Sequence, residues 1–306
     1  MAEYKEQRPS PLHVNKPKWL KTKIPTGETL FRTKKELRAK NLYTVCEEAK
    51  CPNIAQCWAT GTATFMILGD TCTRACRFCH VKTGDPKGFL DQKEPEKTAE
   101  SVKLMDLDYA VITMVDRDDL PDYGADHIAR VFSEVKKASP KTKIEFLGGD
   151  MAGDPKALRV VLDSPLDVFA HNIETVERLT SRVRDARAGY RQSLEVLKYA
   201  RENSGKDLFV KSSIMLGLSE TRDEVRQTLK DLREHGVDLV TLGQYMRPTK
   251  KHLSIKEFIK PEVFEDIKRE ALSMGFLAVA SGPLVRSSYL AGEFYIEAQQ
   301  NREANS

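Results

Sequence analysis

Six cysteines dominate the chemistry open to this sequence: all lie between positions 46 and 79, and the remainder of the 306 residues holds none. They divide into two triplets, Cys46-x4-Cys51-x5-Cys57 and Cys72-x3-Cys76-x2-Cys79, separated by an apolar run that reads as a strand. Three disulfides are one use for six thiols, but a reducing cytosol and a long cysteine-free remainder argue for metal ligation. Structural zinc wants four closed ligands, and the region offers only the lone His80 as a further donor of that kind. A four-iron cubane takes one ligand per iron, so three thiolates leave one iron open to a nonprotein ligand. Each triplet therefore reads as one site.

The elements that must hold these sites follow from hydrophobic periodicity. β-Branched and aromatic runs at 64–69, 109–115, 143–149, 167–173, 209–217 and 238–245 predict strands. Amphipathic stretches at 97–107, 125–138, 155–163, 190–203, 221–235 and 261–274 predict the helices between and after them, several ended by glycines such as Gly205, Gly236 and Gly275. Six βα units predict an α/β fold, a partial (β/α)6 TIM-like barrel over 61–283. An N-terminal arm with the first triplet (1–60) and a C-terminal segment (284–306) extend it.

In parallel barrels, chemistry gathers at the carboxyl ends of the strands, where the βα loops converge. The second cysteine triplet lies at one such end. So do Asp116 with Asp118 and Asp119, Asp150 after Gly148-Gly149, Asn172 with Glu174, Ser213 with Met215, and Arg247 beside Gln244 and Tyr245. Taken singly, each has a plainer use: an acid as a helix N-cap, a glycine pair as a turn, Met215 and Tyr245 as core. As a set on one face they form a candidate cofactor- or substrate-binding ring.

Composition bounds the partners. A net charge of +4 from 49 basic and 45 acidic residues is too balanced to demand nucleic acid. Residues 1–40 are locally basic, 11 Lys/Arg against 4 Asp/Glu, with Pro9, Pro11, Pro17 and Pro25 among polar residues, and read as an extended arm. Mean hydropathy is −0.47 and no apolar run is long enough for a membrane span, so no membrane is expected and the default compartment is cytoplasmic. A mitochondrial transit peptide would be Arg-rich and acid-poor, whereas this arm is Lys-rich and carries Glu3, Glu6, Glu28 and Glu36.

The segment Gly69-Asp70-Thr71-Cys72-Thr73-Arg74-Ala75-Cys76-Arg77-Phe78-Cys79 resembles the cluster loop of the radical S-adenosylmethionine superfamily. Cys46-Glu47-Glu48-Ala49-Lys50-Cys51-Pro52-Asn53-Ile54-Ala55-Gln56-Cys57-Trp58 is similar to the auxiliary-cluster motif of the lipoyl synthases. Val115-Asp116-Arg117-Asp118-Asp119-Leu120, Gly243-Gln244-Tyr245-Met246-Arg247-Pro248-Thr249 and Arg286-Ser287-Ser288-Tyr289 continue that likeness along the chain. Without the family, the last of these would be an ordinary turn or cap.

The resemblance implies two [4Fe-4S] clusters. Cys72, Cys76 and Cys79 would hold the one that binds S-adenosylmethionine through its open iron. Cys46, Cys51, Cys57 and Ser288 would hold an auxiliary one in the extensions, as the sulfur donor. It further implies radical insertion of two sulfurs, at C6 and C8 of a protein-bound octanoyl-lysine, supported by an electron donor. The carrier would be an octanoylated lipoyl domain or glycine-cleavage H protein; Lys16, Lys18, Lys21 and Lys23 of the arm read either as a docking surface for its acidic side or as a merely solvated run. Alkoxide is harder than thiolate, which singles out the serine-bound iron as the first to leave.

One departure stands out. Where the family carries a polar or Pro-Asp segment after the third strand, this chain has Glu145-Phe146-Leu147-Gly148-Gly149-Asp150, with Asp150 as the equivalent acid. Two other readings stay open: a radical enzyme of another substrate class, which needs no Ser288, and a nonenzymatic iron–sulfur or zinc protein.

Overall fold

The computed structural model describes residues 17–20, 44, 46 and 53–305. Cys51 and most of the basic arm, including Lys16, Lys21 and Lys23, lie outside the described residues. A short helix α1 (Ile54–Ala59) leads into β1 (Thr62–Ile67), followed by two short strands, β2 (Thr71–Cys72) and β3 (Lys82–Thr83). Then come α2 (Glu94–Leu104), β4 (Tyr109–Met114), α3 (Ala125–Ala138), β5 (Lys143–Leu147), α4 (Pro155–Leu162) and β6 (Val168–Ala170). The chain continues through α5 (Thr180–Val183), α6 (Tyr190–Glu202), β7 (Phe209–Leu216), α7 (Arg222–Glu234), β8 (Leu239–Gln244), α8 (Pro261–Ser273), β9 (Ala278–Gly282) and α9 (Ala291–Ala304).

Seven strands form one parallel sheet in the order β1-β4-β5-β6-β7-β8-β9, each paired with the next in sequence along the sheet, while β2 and β3 pair separately. The sheet is open: β1 and β9 are its two edges. Strand alternation sorts side chains to two layers. Ala63, Phe65, Ile67, Ala110, Ile112, Ile144, Phe146, Phe169, Val210 and Val240 join the large core under the helices. Tyr109, Val111, Val168, Phe209, Leu239 and Ala278, at the starts of their strands, face the other way and pack on α9. Phe294 and Tyr295 of α9, 5% and 6% exposed, plug this floor. Each such burial contributes about 1.5–3 kcal/mol.

Above the plug lies a charged layer: Lys211 Nζ sits 2.8 Å from both Glu145 oxygens, and the Tyr109 hydroxyl donates to Glu145 at 2.8 Å. All three are nearly inaccessible to solvent.

The six predicted strands and six predicted helices all form. A seventh strand, β9, and the closing helix α9 were not expected from the sequence. The strand Ala278-Val279-Ala280-Ser281-Gly282 is too poor in large β-formers to signal itself.

Local chemistry sets the helix starts. α4 begins with Pro155 in its first turn behind Asp154, whose carboxylate accepts from the Lys156 and Ala157 amides. α7 carries a capping box between Thr221 and Glu224.

Candidate active site

The cysteine loop leaves β1 through Leu68 and Gly69, both at positive φ. Two groups pin that exit. Glu94, at the start of α2, accepts the Leu68 and Gly69 amides at 2.7 and 3.1 Å, and the buried Arg117 guanidinium donates to the Leu68 carbonyl at 3.0 Å.

Thr73 and Arg74 then fasten the loop to the carboxyl ends of β4 and β5. The Thr73 amide donates to the Asp116 carbonyl at 2.9 Å, and its hydroxyl bonds Asp118 at 2.6 Å. Arg74, 4% exposed, forks onto Asp118 through Nε and Nη2 and reaches Asp150 through Nη1 at 2.7 Å. On the far side the Asp185 carboxylate accepts the Ala75 amide at 2.8 Å, and His252 Nε2 donates to the Cys79 carbonyl at 2.9 Å.

Three backbone amides are aimed at the sulfurs: Arg74 N at Cys72 Sγ (3.4 Å), Asp185 N at Cys76 Sγ (3.3 Å) and Val81 N at Cys79 Sγ (3.5 Å). Burial pushes the Cys72 thiol up to about 11 and the Cys76 thiol up to about 12, and raises Cys79 as well. A cationic centre would reverse that preference, because ligation displaces the thiol protons. Among the described residues no trio of His, Cys, Asp or Glu could hold a single metal ion. Three separated thiols with amides directed at them suit a cube of irons, each taking one thiolate.

Of the ring expected from the sequence, Asn172, Glu174, Ser213 and Met215 line one cleft with Phe78, one of the two residues between Cys76 and Cys79. The cleft holds about 230 Å³ and is open at its mouth. Burial raises Glu174 above the ordinary carboxylate range against the pull of Arg184. Asp116 lies beside the loop, its Oδ2 3.9 Å from Cys72 Sγ, and burial pushes it up to about 6 despite Arg74. Gly149 permits that placement, since a Cβ there would stand 2.2 Å from Asp116 Oδ1.

Asp150 and Arg247, also of that ring, turn away from the cleft. Asp150 is completely buried and engages Arg74. Arg247 spends its guanidinium on the His252 and Lys250 carbonyls. Sequence reasoning missed Arg74, Asp185 and Arg184, because nothing in their spacing distinguishes a buried clamp from an exposed charge.

A second, far smaller cavity gathers Cys46, Cys57 and Ser288 with Thr62 and Thr64 from β1. Two long-range bonds bring α1 against the C-terminal segment: Asn53 Nδ2 to the Leu284 carbonyl at 2.9 Å and the Tyr289 hydroxyl to Gln56 Oε1 at 3.0 Å. Thr62 Oγ1, buried at its edge, has no partner among the described residues, a vacancy that suits a polar occupant. Arg286 lines both cavities, whereas Ser287 lines only the first and Ser288 only the second.

An open parallel sheet whose first strand feeds a three-cysteine loop defines the radical S-adenosylmethionine class. The "Radical SAM superfamily" family model matches residues 66–232. Solved structures show the same fold at low identity. Methylornithine synthase aligns at TM-score 0.55 and 15% identity over 71% of this chain and 63% of its own. The FeFe-hydrogenase maturase HydG of Carboxydothermus hydrogenoformans aligns at 0.58 and 13% over 78% and 56%.

Sequence relatives narrow the class. The model for the "N-terminal domain of lipoyl synthase of Radical_SAM family" matches residues 1–51. The mitochondrial lipoyl synthase of Schizosaccharomyces pombe is 55% identical over 94% of this chain and 78% of its own length. The lipoyl synthase of Legionella pneumophila (strain Paris) is 54% identical over 92% and 85%, and that of Deinococcus radiodurans 50% over 95% and 88%.

The chain belongs to the lipoyl synthase family. It is a sulfurtransferase that uses S-adenosylmethionine with a [4Fe-4S] cluster and acts on an octanoylated protein. No helix among the described residues is long and apolar enough to cross a membrane.

Proposed function

We propose that Cys72, Cys76 and Cys79 hold the radical-generating cluster, and that Cys46, Cys51, Cys57 and Ser288 hold a second one, over the division into 1–60, 61–283 and 284–306. The observation that carries this reading is the convergence of Cys46, Cys57 and Ser288 on one cavity that shares Arg286 with the cleft beside Phe78. When bound, these groups supply a 5′-deoxyadenosyl radical on one side of Arg286 and sulfide on the other, for insertion at C6 and then C8 of the octanoyl-lysine.

The protein's own part is placement. Asn172, Glu174 and Ser213 offer polar groups to S-adenosylmethionine, while Phe78 and Met215 give the same cleft apolar wall for an alkyl chain. The narrow second cavity limits water around its ligands. The carrier is a lipoyl domain or glycine-cleavage H protein, attracted by Lys16, Lys18, Lys21 and Lys23. Neutralising these four lysines weakens carrier binding at low salt, and an affinity unchanged across ionic strength would refute their role. The need for reduced thiols suits a cytoplasmic or comparably reducing compartment.

The test is anaerobic purification with iron and sulfide analysis, followed by turnover of octanoylated carrier with S-adenosylmethionine and dithionite. About eight irons per chain and two added sulfurs by mass are expected, with Ser288→Ala reducing sulfur insertion while cofactor cleavage continues. Cofactor cleavage by the parent protein without sulfur insertion would favour a radical enzyme of another substrate class.

A further inference from the structure

The turn that carries Cys76 and Cys79 is a thin wall. Phe78 lines the inner cleft, whereas its neighbour Arg77 is exposed on the opposite side. Two other segments are bonded to that outer side. Arg77 N donates to the Val183 carbonyl at 2.9 Å, and Arg77 Nη1 to the Arg182 carbonyl at 3.3 Å. Leu253 N donates to the Arg77 carbonyl at 3.3 Å, and His252 reaches the Cys79 carbonyl.

These contacts assemble exposed Arg77, Arg182, Lys250 and Lys251 around the loop, with Arg187 and His80 beside them. Among the described residues, none of the first four is in an ion pair. Of the acids near the loop, Asp185 has a side chain only 10% exposed and is held by Arg187 at 2.9 Å, Asp118 is held by Arg74 at 2.8 Å, and the exposed Asp70 at the start of the loop lies 3.8 Å from Lys82. The outward field over the Cys76–Cys79 turn is therefore positive.

We propose that this rim docks an acidic one-electron carrier protein, which reduces the radical-generating cluster through the Cys76–Cys79 turn. The proposal rests on the assignment of Cys72, Cys76 and Cys79 above and adds the route by which electrons arrive. One electron leaves the carrier's reduced cofactor for each S-adenosylmethionine consumed, and the S–C5′ bond breaks to give methionine and the 5′-deoxyadenosyl radical. A basic rim concentrates an acidic donor electrostatically, and electron transfer rewards the shortest path, which here is one turn of chain.

The experiment compares the parent with the triple variant Arg182→Glu, Lys250→Glu, Lys251→Glu, leaving Arg77 intact because its side chain bonds the neighbouring loop. S-Adenosylmethionine cleavage is followed with reduced flavodoxin, an acidic one-electron flavoprotein, and separately with dithionite. Flavodoxin concentration at half-maximal rate should rise about tenfold at low salt, with the gap closing near 0.5 M, while the dithionite rate and the iron content stay at parental values.

Equal flavodoxin dependence across salt overturns the proposal. So does a loss with both reductants at full iron content, and so does weakened octanoylated-carrier binding with unchanged flavodoxin dependence, which would give the rim to the carrier. Should charge reversal lower iron content, the Arg182→Gln, Lys250→Gln, Lys251→Gln variant is expected to show about a threefold effect, and no effect there is equally decisive. A parent that cleaves no cofactor even with dithionite would instead refute the cluster assignment.

Discussion

Replacing Arg74 with methionine tests whether the radical loop is held by its own arginine. The side chain is 3% exposed and faces three carboxylates: Asp118 in a fork at 2.8–3.2 Å, Asp150 at 2.7 Å and Asp116 at 3.7 Å. Asp150 is wholly buried, and its other hydrogen bond comes from the Ala152 amide at 3.0 Å, with Oδ2 unpartnered among the described residues. Methionine keeps the bulk but strands that carboxylate. Breaking one side of a buried ion pair costs about 3–5 kcal/mol. Even about 3 kcal/mol raises the population of the opened loop about a hundredfold.

The assay uses a background in which Cys46, Cys51 and Cys57 are alanine, so that iron reports on the second triplet alone. The parent should hold about four irons per chain. Arg74→Met should lose them to a chelator at least about tenfold faster and lower the urea midpoint of the iron-free protein. Arg74→Lys should fall between, because an ammonium cannot span two carboxylates as a guanidinium does. Parental iron retention together with a parental urea midpoint in Arg74→Met would refute the clamp.

Other outcomes follow from the same geometry. His171 donates to the Gly148 carbonyl, accepts from Ser193, and is pushed down to about 4 by burial and by Arg184. The unfolded chain therefore binds the extra proton between pH 6.5 and 4, and stability should fall by about 1.4 kcal/mol per pH unit through that window, as read by urea titration; His171→Asn should flatten the slope. In the floor layer, Lys211→Met should cost about 3–5 kcal/mol by leaving Glu145 charged and buried, whereas adding Glu145→Leu should restore most of the loss in a double-mutant cycle. Gly243→Ala should lower stability by about 1–3 kcal/mol and impair iron retention at the first triplet, since its Cβ would stand 2.1 Å from the Val285 carbonyl just before Arg286.

What the sequence disclosed was whatever chemistry writes as a local pattern. The cysteine spacings, the strands β1 and β4 to β8 and the amphipathic helices are all short-range periodicities, and they fell within a few residues of the observed bounds. β9 escaped because small residues suffice at a sheet edge lined by other chain, and α9 because its apolar face of Ala291, Phe294, Tyr295 and Ala298 is diluted by exposed Ile296.

The ring at the strand ends was only partly legible for a related reason. Position after a strand places a residue near the site, but not the direction of its side chain. Asn172, Glu174, Ser213 and Met215 face the cleft, while Asp150 and Arg247 satisfy internal partners. Direction is decided by long-range neighbours such as Arg74, which no spacing announces.

The open edge of the sheet explains how residues so distant in sequence can share a site. A closed barrel would pair β1 with β9 and bury the inward face of both strands. Here that pairing is absent, and the gap is occupied from β1 by Thr62 and Thr64, from before it by Cys46 and Cys57, and from after β9 by Arg286 and Ser288. The same C-terminal segment continues into α9, whose Phe294 and Tyr295 plug the barrel floor. Seating α9 therefore fixes the register of the residues just before it. The C-terminal segment thus couples closure of the fold to assembly of the second cavity, and Arg286 lines that cavity and the cleft beside Phe78 alike.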